Sequence, residues 1–167
     1  AKDLIDQGHL AKLHIDIIQL QVNLKEDYQQ YLAEQPELQL TYNQFKDQYF
    51  PGWPSEKRFL QTHKQRLAWI ATYIEEKRDA RKGNVLCLVD SINLGKKLHS
   101  LVEDSEFVYG HDDIKTRQKV YDLFKESDNL VVFATVHIAR TGLNIKRIFN
   151  LMFIDVGKSF IRTIQTI

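Results

Sequence analysis

LVVFATVHIARTGLNI, residues 130–145, decides how the rest of this 167-residue chain is read. Leu130 to Ala134 is a short, almost unbroken apolar run rich in β-branched and aromatic side chains. That texture suits a strand covered on both faces, as in a parallel sheet. Thr135 ends the run. A strand that stops at a small hydroxyl residue and opens into an irregular segment puts that segment at the carboxyl edge of the sheet, where open α/β folds bind ligands. Gly142, with no Cβ, lets the backbone bend or a ligand come close, and Asn144 supplies an amide that both donates and accepts. An ordinary buried strand followed by a loop is spelled the same way, so the flanking chain has to decide.

On either side of that stretch, the chain from Gly83 onward alternates strand-like and helix-like patterns, the signature of a parallel α/β sheet. Asn84 to Val89 is an apolar strand. Ser91 is positioned to cap a helix whose stripe is Leu94, Leu98, Leu101 and Val102. Phe107 to Tyr109 is a second short strand, ending in Gly110 and His111. Asp112 or Asp113 caps a helix from about Ile114 to Lys125 with Val120, Leu123 and Phe124 inward. After the central strand and its loop come a strand at Phe149 to Asp155 and a helix beginning near Lys158. The expectation is a three-layer α/β fold with a mostly parallel sheet and helices on both faces. Ser91, Gly110, His111 and Thr135 then line one cleft, because parallel strands deliver their tips to a single edge.

Upstream, residues 1 to 8 read as a helical turn ended by Gly8. Leu13, Ile15 and Ile17 alternate with His14 and Asp16, which predicts a strand within Leu10 to Leu20. Lys25 to Phe50 reads as one or two helices broken near Pro36. Pro51, Gly52 and Pro54 punctuate the chain, and Ser55 is the expected N-cap of the next helix. Leu60, His63, Leu67, Ile70, Ala71 and Ile74 share a face, predicting one long amphipathic helix over 55 to about 79, with Trp53 and Trp69 as packing anchors.

Composition limits the classes open to the chain. With 43% hydrophobic and 27% charged residues it is one globular domain, or one domain and an appendage. No apolar run is long enough to span a bilayer and the amino-terminal residues do not resemble a signal peptide. The expectation is an intracellular, cytoplasmic protein with no membrane partner. The lone Cys87 sits in an apolar run and reads as a buried thiol. The six His and one Cys show no metal-ligand spacing. The net charge of +1 hides a basic middle: residues 51–82 carry eight Lys or Arg against four acids, while residues 1–50 carry four against eight. Such an excess could steer a phosphate backbone, but a solvated helix face has the same composition, and that plainer reading comes first.

NVLCLVDSI (84–92), VYGHDDIKTRQKVYDLF (108–124), VVFATVHIARTGLNI (131–145) and FIRTIQTI (160–167) together resemble motifs IV, IVa and V and the start of motif VI in the second RecA-like lobe of superfamily 2 helicases. DLIDQGHLAKLHIDII (3–18) is similar to the helix and strand that precede that lobe in the phage UvsW type. The resemblance implies a RecA-like fold and an ATP-dependent DNA helicase of recombination or repair, in the host cytoplasm if of phage origin. Residues 1–22 would be a connector from the first lobe and 23–82 a helical segment, or an insertion, leading into the second. Residues 83–167 would be the motor lobe, truncated within motif VI. It further implies a sequence-independent grip on single-stranded or branched DNA by Ser91, Gly110, His111, Thr135 and Val136. Gly142, Asn144 and Arg140 would face ATP and the other lobe, with Arg117 a further phosphate or interlobe candidate. ATP and Mg²⁺ would be held mainly by the first lobe, a partner within the same protein.

Several features depart from a complete motor. There is no GxxxxGK[ST]; Gly95, Lys96 and Lys97 fall inside a predicted helix, and Asp112 and Asp113 precede a helix and so are no Walker B pair. The spacing from Thr135 to Gly142 is one residue longer than in DEAD-box enzymes. The sequence stops at Gln165, Thr166 and Ile167, short of the motif VI arginines, so the expectation is no ATP hydrolysis by this chain alone. Two other readings stay open. A doubly wound nucleotide-binding regulatory or transferase domain needs a glycine-rich turn, and Tyr109 to His111 has one glycine. A non-catalytic nucleic-acid-binding or protein-interaction module would use the long helix from Ser55.

Overall fold

Parallel strands need crossovers, and the helices that make them here coat a four-stranded sheet. The structure, a computed structural model, describes residues 15–37, 39–81, 83–139, 148 and 150–156. The chain divides into two compact units, residues 1–39 and 40–167.

In the first unit, α1 (Leu24–Glu34) starts at Asn23, whose side chain accepts from the Lys25 amide at 3.3 Å and donates to Glu26 at 2.7 Å. Glu26 and Asp27 place negative charge in the first turn, where the helix dipole favours it. The helix ends before Pro36, as expected. The strand expected within Leu10 to Leu20 is not formed in its described part. Residues 15–23 have no regular structure and Ile17 is 92% exposed. Alternation makes a strand only where an edge stands ready to accept its hydrogen bonds.

The second unit opens with α2 (Tyr42–Tyr49), begun by a capping box: the Gln44 amide donates to Thr41 Oγ1 at 3.3 Å and the Thr41 amide to Gln44 Oε1 at 2.8 Å. Two helices replace the single long one predicted from Ser55. The first, α3 (Trp53–Leu60), is capped by Gly52 and carries Pro54 in its first turn; the second is α4 (Lys64–Arg81). Thr62 breaks the run by donating its hydroxyl to the Arg58 and Phe59 carbonyls, and His63 restarts it by accepting the Arg66 amide at Nδ1 (3.2 Å). Phe45, Phe50, Phe59 and His63 form an aromatic string, with successive ring centroids 5.9, 4.7 and 5.3 Å apart, that packs α2 against α3. Leu67, Ile70, Ala71 and Ile74 are buried, as their spacing predicts. Trp53 and Trp69 are not anchors: they are 66% and 44% exposed, and Trp69 stacks on Tyr73 at the surface. Among the described residues no helix is long and apolar enough to cross a membrane.

The sheet comprises β1 (Val85–Val89), β2 (Ser105–Val108), β3 (Val131–Thr135) and β4 (Asn150–Ile154) in the order β2-β3-β1-β4, all parallel. Between them lie α5 (Ile92–His99), α6 (Ile114–Glu126) and the single turn α7 (Val136–Ala139). Side chains alternate between the sheet's faces. Leu86, Leu88, Val108, Val132 and Ala134 pack with Val120 and Phe124 of α6 on one face. On the other, Phe107 meets α5 so closely that a Cβ at Gly95 would come within 2.4 Å of its ring. Helices therefore cover both faces, and the three-layer α/β expectation holds. Leu101 and Leu123, expected inward, are exposed, because α5 ends at His99 and α6 turns Val120, Tyr121 and Phe124 to the sheet.

Fully buried Asn84 ties the amino edge together. Its amide nitrogen donates to the Phe124 carbonyl and, at 2.9 Å, to that of Ser127, while its oxygen accepts the Leu130 amide at 2.9 Å. The end of α6 and the start of β3 are thereby held at fixed height against β1.

Candidate nucleic-acid interface

The strand register sets the site. Val89 pairs with Thr135 and Val108 with Ala134, so β1, β2 and β3 finish within one residue of each other. Ser91, Gly110 and Thr135 consequently emerge along a single edge, as the sequence predicted. Two helices start there as well. Ser91 Oγ accepts the Leu94 amide at 3.2 Å and caps α5; Asp113 accepts the Thr116 amide at 2.6 Å and caps α6. Helix N-termini attract anions through unpaired amides and the helix dipole.

The two caps differ in charge. Hydrogen bonds from the Thr116 amide and hydroxyl hold the Asp113 carboxyl below its usual range, so this end already carries its own anion. The cap of α5 is a neutral hydroxyl, which places no charge of its own at that end. Between them, Tyr109 to Asp112 form a tight turn: the Asp112 amide donates to the Tyr109 carbonyl at 3.0 Å and the Tyr109 amide to Asp112 Oδ2 at 2.7 Å. Gly110 is exposed, and a Cβ there would meet nothing within 4 Å, so packing does not require a glycine at this position. His111 is exposed beside the Tyr109 ring at 6.3 Å.

Two candidates sit deeper than expected. Thr135 is only 5% exposed, being the last residue of β3 and not the first of a loop. Val136 begins α7 in place of an irregular segment, and its side chain joins the core cluster, leaving its backbone as the part able to face a ligand. Arg117, on α6, is half-buried with its Nε lacking an acceptor among the described residues. Gly142, Asn144 and Arg140 lie outside the described residues, as does the helix expected near Lys158. Among the described residues no three His, Cys, Asp or Glu side chains gather as a metal site.

The structure adds contacts that sequence alone did not show. Lys57 pairs with Asp90, just past β1, and Arg66 with Asp155, just past β4. Asp155 has φ 55°, a left-handed conformation uncommon outside glycine, at the very tip of its strand. Arg58, Gln61 and Thr62 at the end of α3 face Asn93, Lys96 and Lys97 of α5 across a shallow depression.

An all-parallel sheet with helices on both faces and its polar strand tips along one edge is a RecA-like α/β fold, and solved helicase structures share it. In particular, the chain is similar in structure to bacteriophage T4 UvsW, at 17% sequence identity and a TM-score of 0.57, over 72% of this chain and 26% of UvsW. It is also similar to the helicase domain of Pyrococcus furiosus Hef, at 16% identity and a TM-score of 0.50, over 85% of this chain and 31% of that one. The chain thus spans under a third of either solved protein. No protein-family model matches it, and no curated protein sequence does.

Proposed function

We propose that this chain is the second motor lobe of an ATP-dependent DNA helicase acting in recombination or repair, with residues 83–167 as the lobe and 23–82 leading into it. The observation that carries this reading is the shared edge: the neutral, Ser91-capped N-terminus of α5, the open Gly110 turn and the backbone at the Thr135 tip, at matched height, offer hydroxyl and amide groups suited to phosphates and blind to bases. The likeness to two helicase folds supports it. ATP and Mg²⁺ belong to the two-lobe protein. This sequence has no phosphate loop, so the first lobe would hold the nucleotide, and Gly142, Asn144 and Arg140 would close on it from this side. Alternation between open and closed lobes would shift the grip along one strand and drive unwinding or branch migration.

The test is binding of a labelled single-stranded oligonucleotide by the wild-type chain and by Gly110→Glu. Gly110 has room for a side chain, so the variant should melt like wild type. A carboxylate about 4 Å from a phosphate costs about 1 kcal/mol or more, so affinity should fall roughly five- to tenfold. Binding that ignores both the variant and the salt concentration would refute the reading.

A further inference from the structure

The depression between α3 and α5 has the composition of an anion site. Of the six residues that line it, Arg58, Lys96 and Lys97 are cationic, Gln61, Thr62 and Asn93 are polar, and none is acidic. Lys57 next door is neutralised by Asp90, but among the described residues Arg58, Lys96 and Lys97 have no ion-pair partner. Gln61 adds an independent sign. Its Oε1 accepts the Ser91 hydroxyl at 3.2 Å, and its Nε2 is buried without an acceptor among the described residues. A buried donor left unpaired costs about 1–3 kcal/mol, so such groups call for a partner. An anion seated in the depression answers the three positive charges together.

The depression is also continuous with the strand tips. Ser91 caps α5 at the edge and bonds to Gln61 in the depression, while Lys96 extends over the Tyr109 ring at 5.4 Å, one residue before Gly110. Asn93 and Lys97 are four residues apart on α5, a rise of about 6 Å, which gives the lining the length of an extended path.

We propose that this depression is a phosphate subsite that takes further phosphates of the same single strand after it leaves the sheet edge. The assignment rests on the nucleic-acid reading of that edge and lengthens the footprint from the strand tips onto the outer surface of α3 and α5. Contact is electrostatic and sequence-independent, through Arg58 and Lys97 at its two walls and Lys96 at its junction with the edge.

The experiment compares the full chain with Arg58→Gln/Lys97→Gln and with Asn93→Lys, using labelled oligothymidylates of about 4 and about 16 nucleotides across a salt series. Each phosphate contact on single strands adds about 0.7 to the slope of log affinity against log salt. For the long strand the double variant should lose about 1.4 in slope and bind more weakly, and Asn93→Lys should gain about 0.7. Neither should change binding of the short strand. Asn93→Lys adds a charge at an exposed position and so decides the matter if the double variant melts early. Unchanged slopes in both variants, with wild type still binding both strands, would overturn the subsite and leave the edge reading intact. Failure of wild type to bind either strand would overturn the edge reading, and the subsite with it. A site for free polyphosphate would instead show inorganic tripolyphosphate displacing both strands equally, which would overturn assignment to the strand.

Discussion

Asn84 offers the sharpest test of how the sheet is held. Replacing it with Ala strips the Leu130 amide of its acceptor and the Phe124 and Ser127 carbonyls of their donor, in a place where Asn84 itself is fully buried. A buried polar group left unsatisfied costs about 1–3 kcal/mol, and these three are close enough that their costs do not simply add; the expected loss is about 3–5 kcal/mol. That is a large part of the ~5–15 kcal/mol that keeps a domain folded, and it corresponds to a melting point lower by roughly 10 °C or more. Asn84→Asp separates hydrogen bonding from volume. It keeps the acceptor but turns a carboxylate towards two carbonyl oxygens, which raises the folded-state pKa of the new group. Stability should then be best below about pH 4, where the carboxyl is protonated in both states and can donate, and should be lost as pH rises through the raised value. Urea unfolding followed by circular dichroism at several pH values measures both effects. A loss under about 1 kcal/mol for the alanine variant, or an aspartate variant indifferent to pH, would refute the account of Asn84 as the tie of the amino edge.

Other consequences can be measured on the same preparations. Burial at the centre of β1 pushes the Cys87 thiol far up from its ordinary value, so alkylation should be negligible in native buffer and should track unfolding in urea; prompt labelling without denaturant would contradict this. Gly95→Ala should lower the melting point despite alanine's helix propensity, because the new Cβ falls 2.4 Å from Phe107, and the same change should be neutral or stabilising in a Phe107→Ala background; equal effects in both backgrounds would disprove the clash. The Asp113 carboxyl, lowered by Thr116, contributes stability above its unfolded pKa that is lost as pH falls through the lower folded value. Asp113→Asn, which also caps helices, should therefore show a shallower acid decline in melting point than wild type.

The strands were legible because a buried parallel strand has a simple spelling. VLCLV and VVFAT could be little else, and Ser91 and Asp113 announced the helices that come after them. From alternation of strands and helices the common edge followed, since parallel neighbours point the same way. The break at residues 61–63 was not legible: the apolar stripe runs through it in phase, and Thr62 acts by turning its hydroxyl back on carbonyls, which spacing does not reveal. Trp53 and Trp69 misled because tryptophan is buried on average, and these two lie on the outward faces of their helices. The depression stayed hidden for another reason. Arg58 and Lys97 are far apart in sequence, and only the packing of α3 beside α5 makes them neighbours.

Lys57 and Arg66 stand on either side of the helix break and hold Asp90 and Asp155, which lie just past two adjacent strands paired at Val89 and Ile154. The helical arm before the sheet is thus pinned at two points to the carboxyl rim of the sheet. Because α3 and α4 each carry one of these ion pairs, the short 61–63 turn between them is anchored to the sheet from both sides.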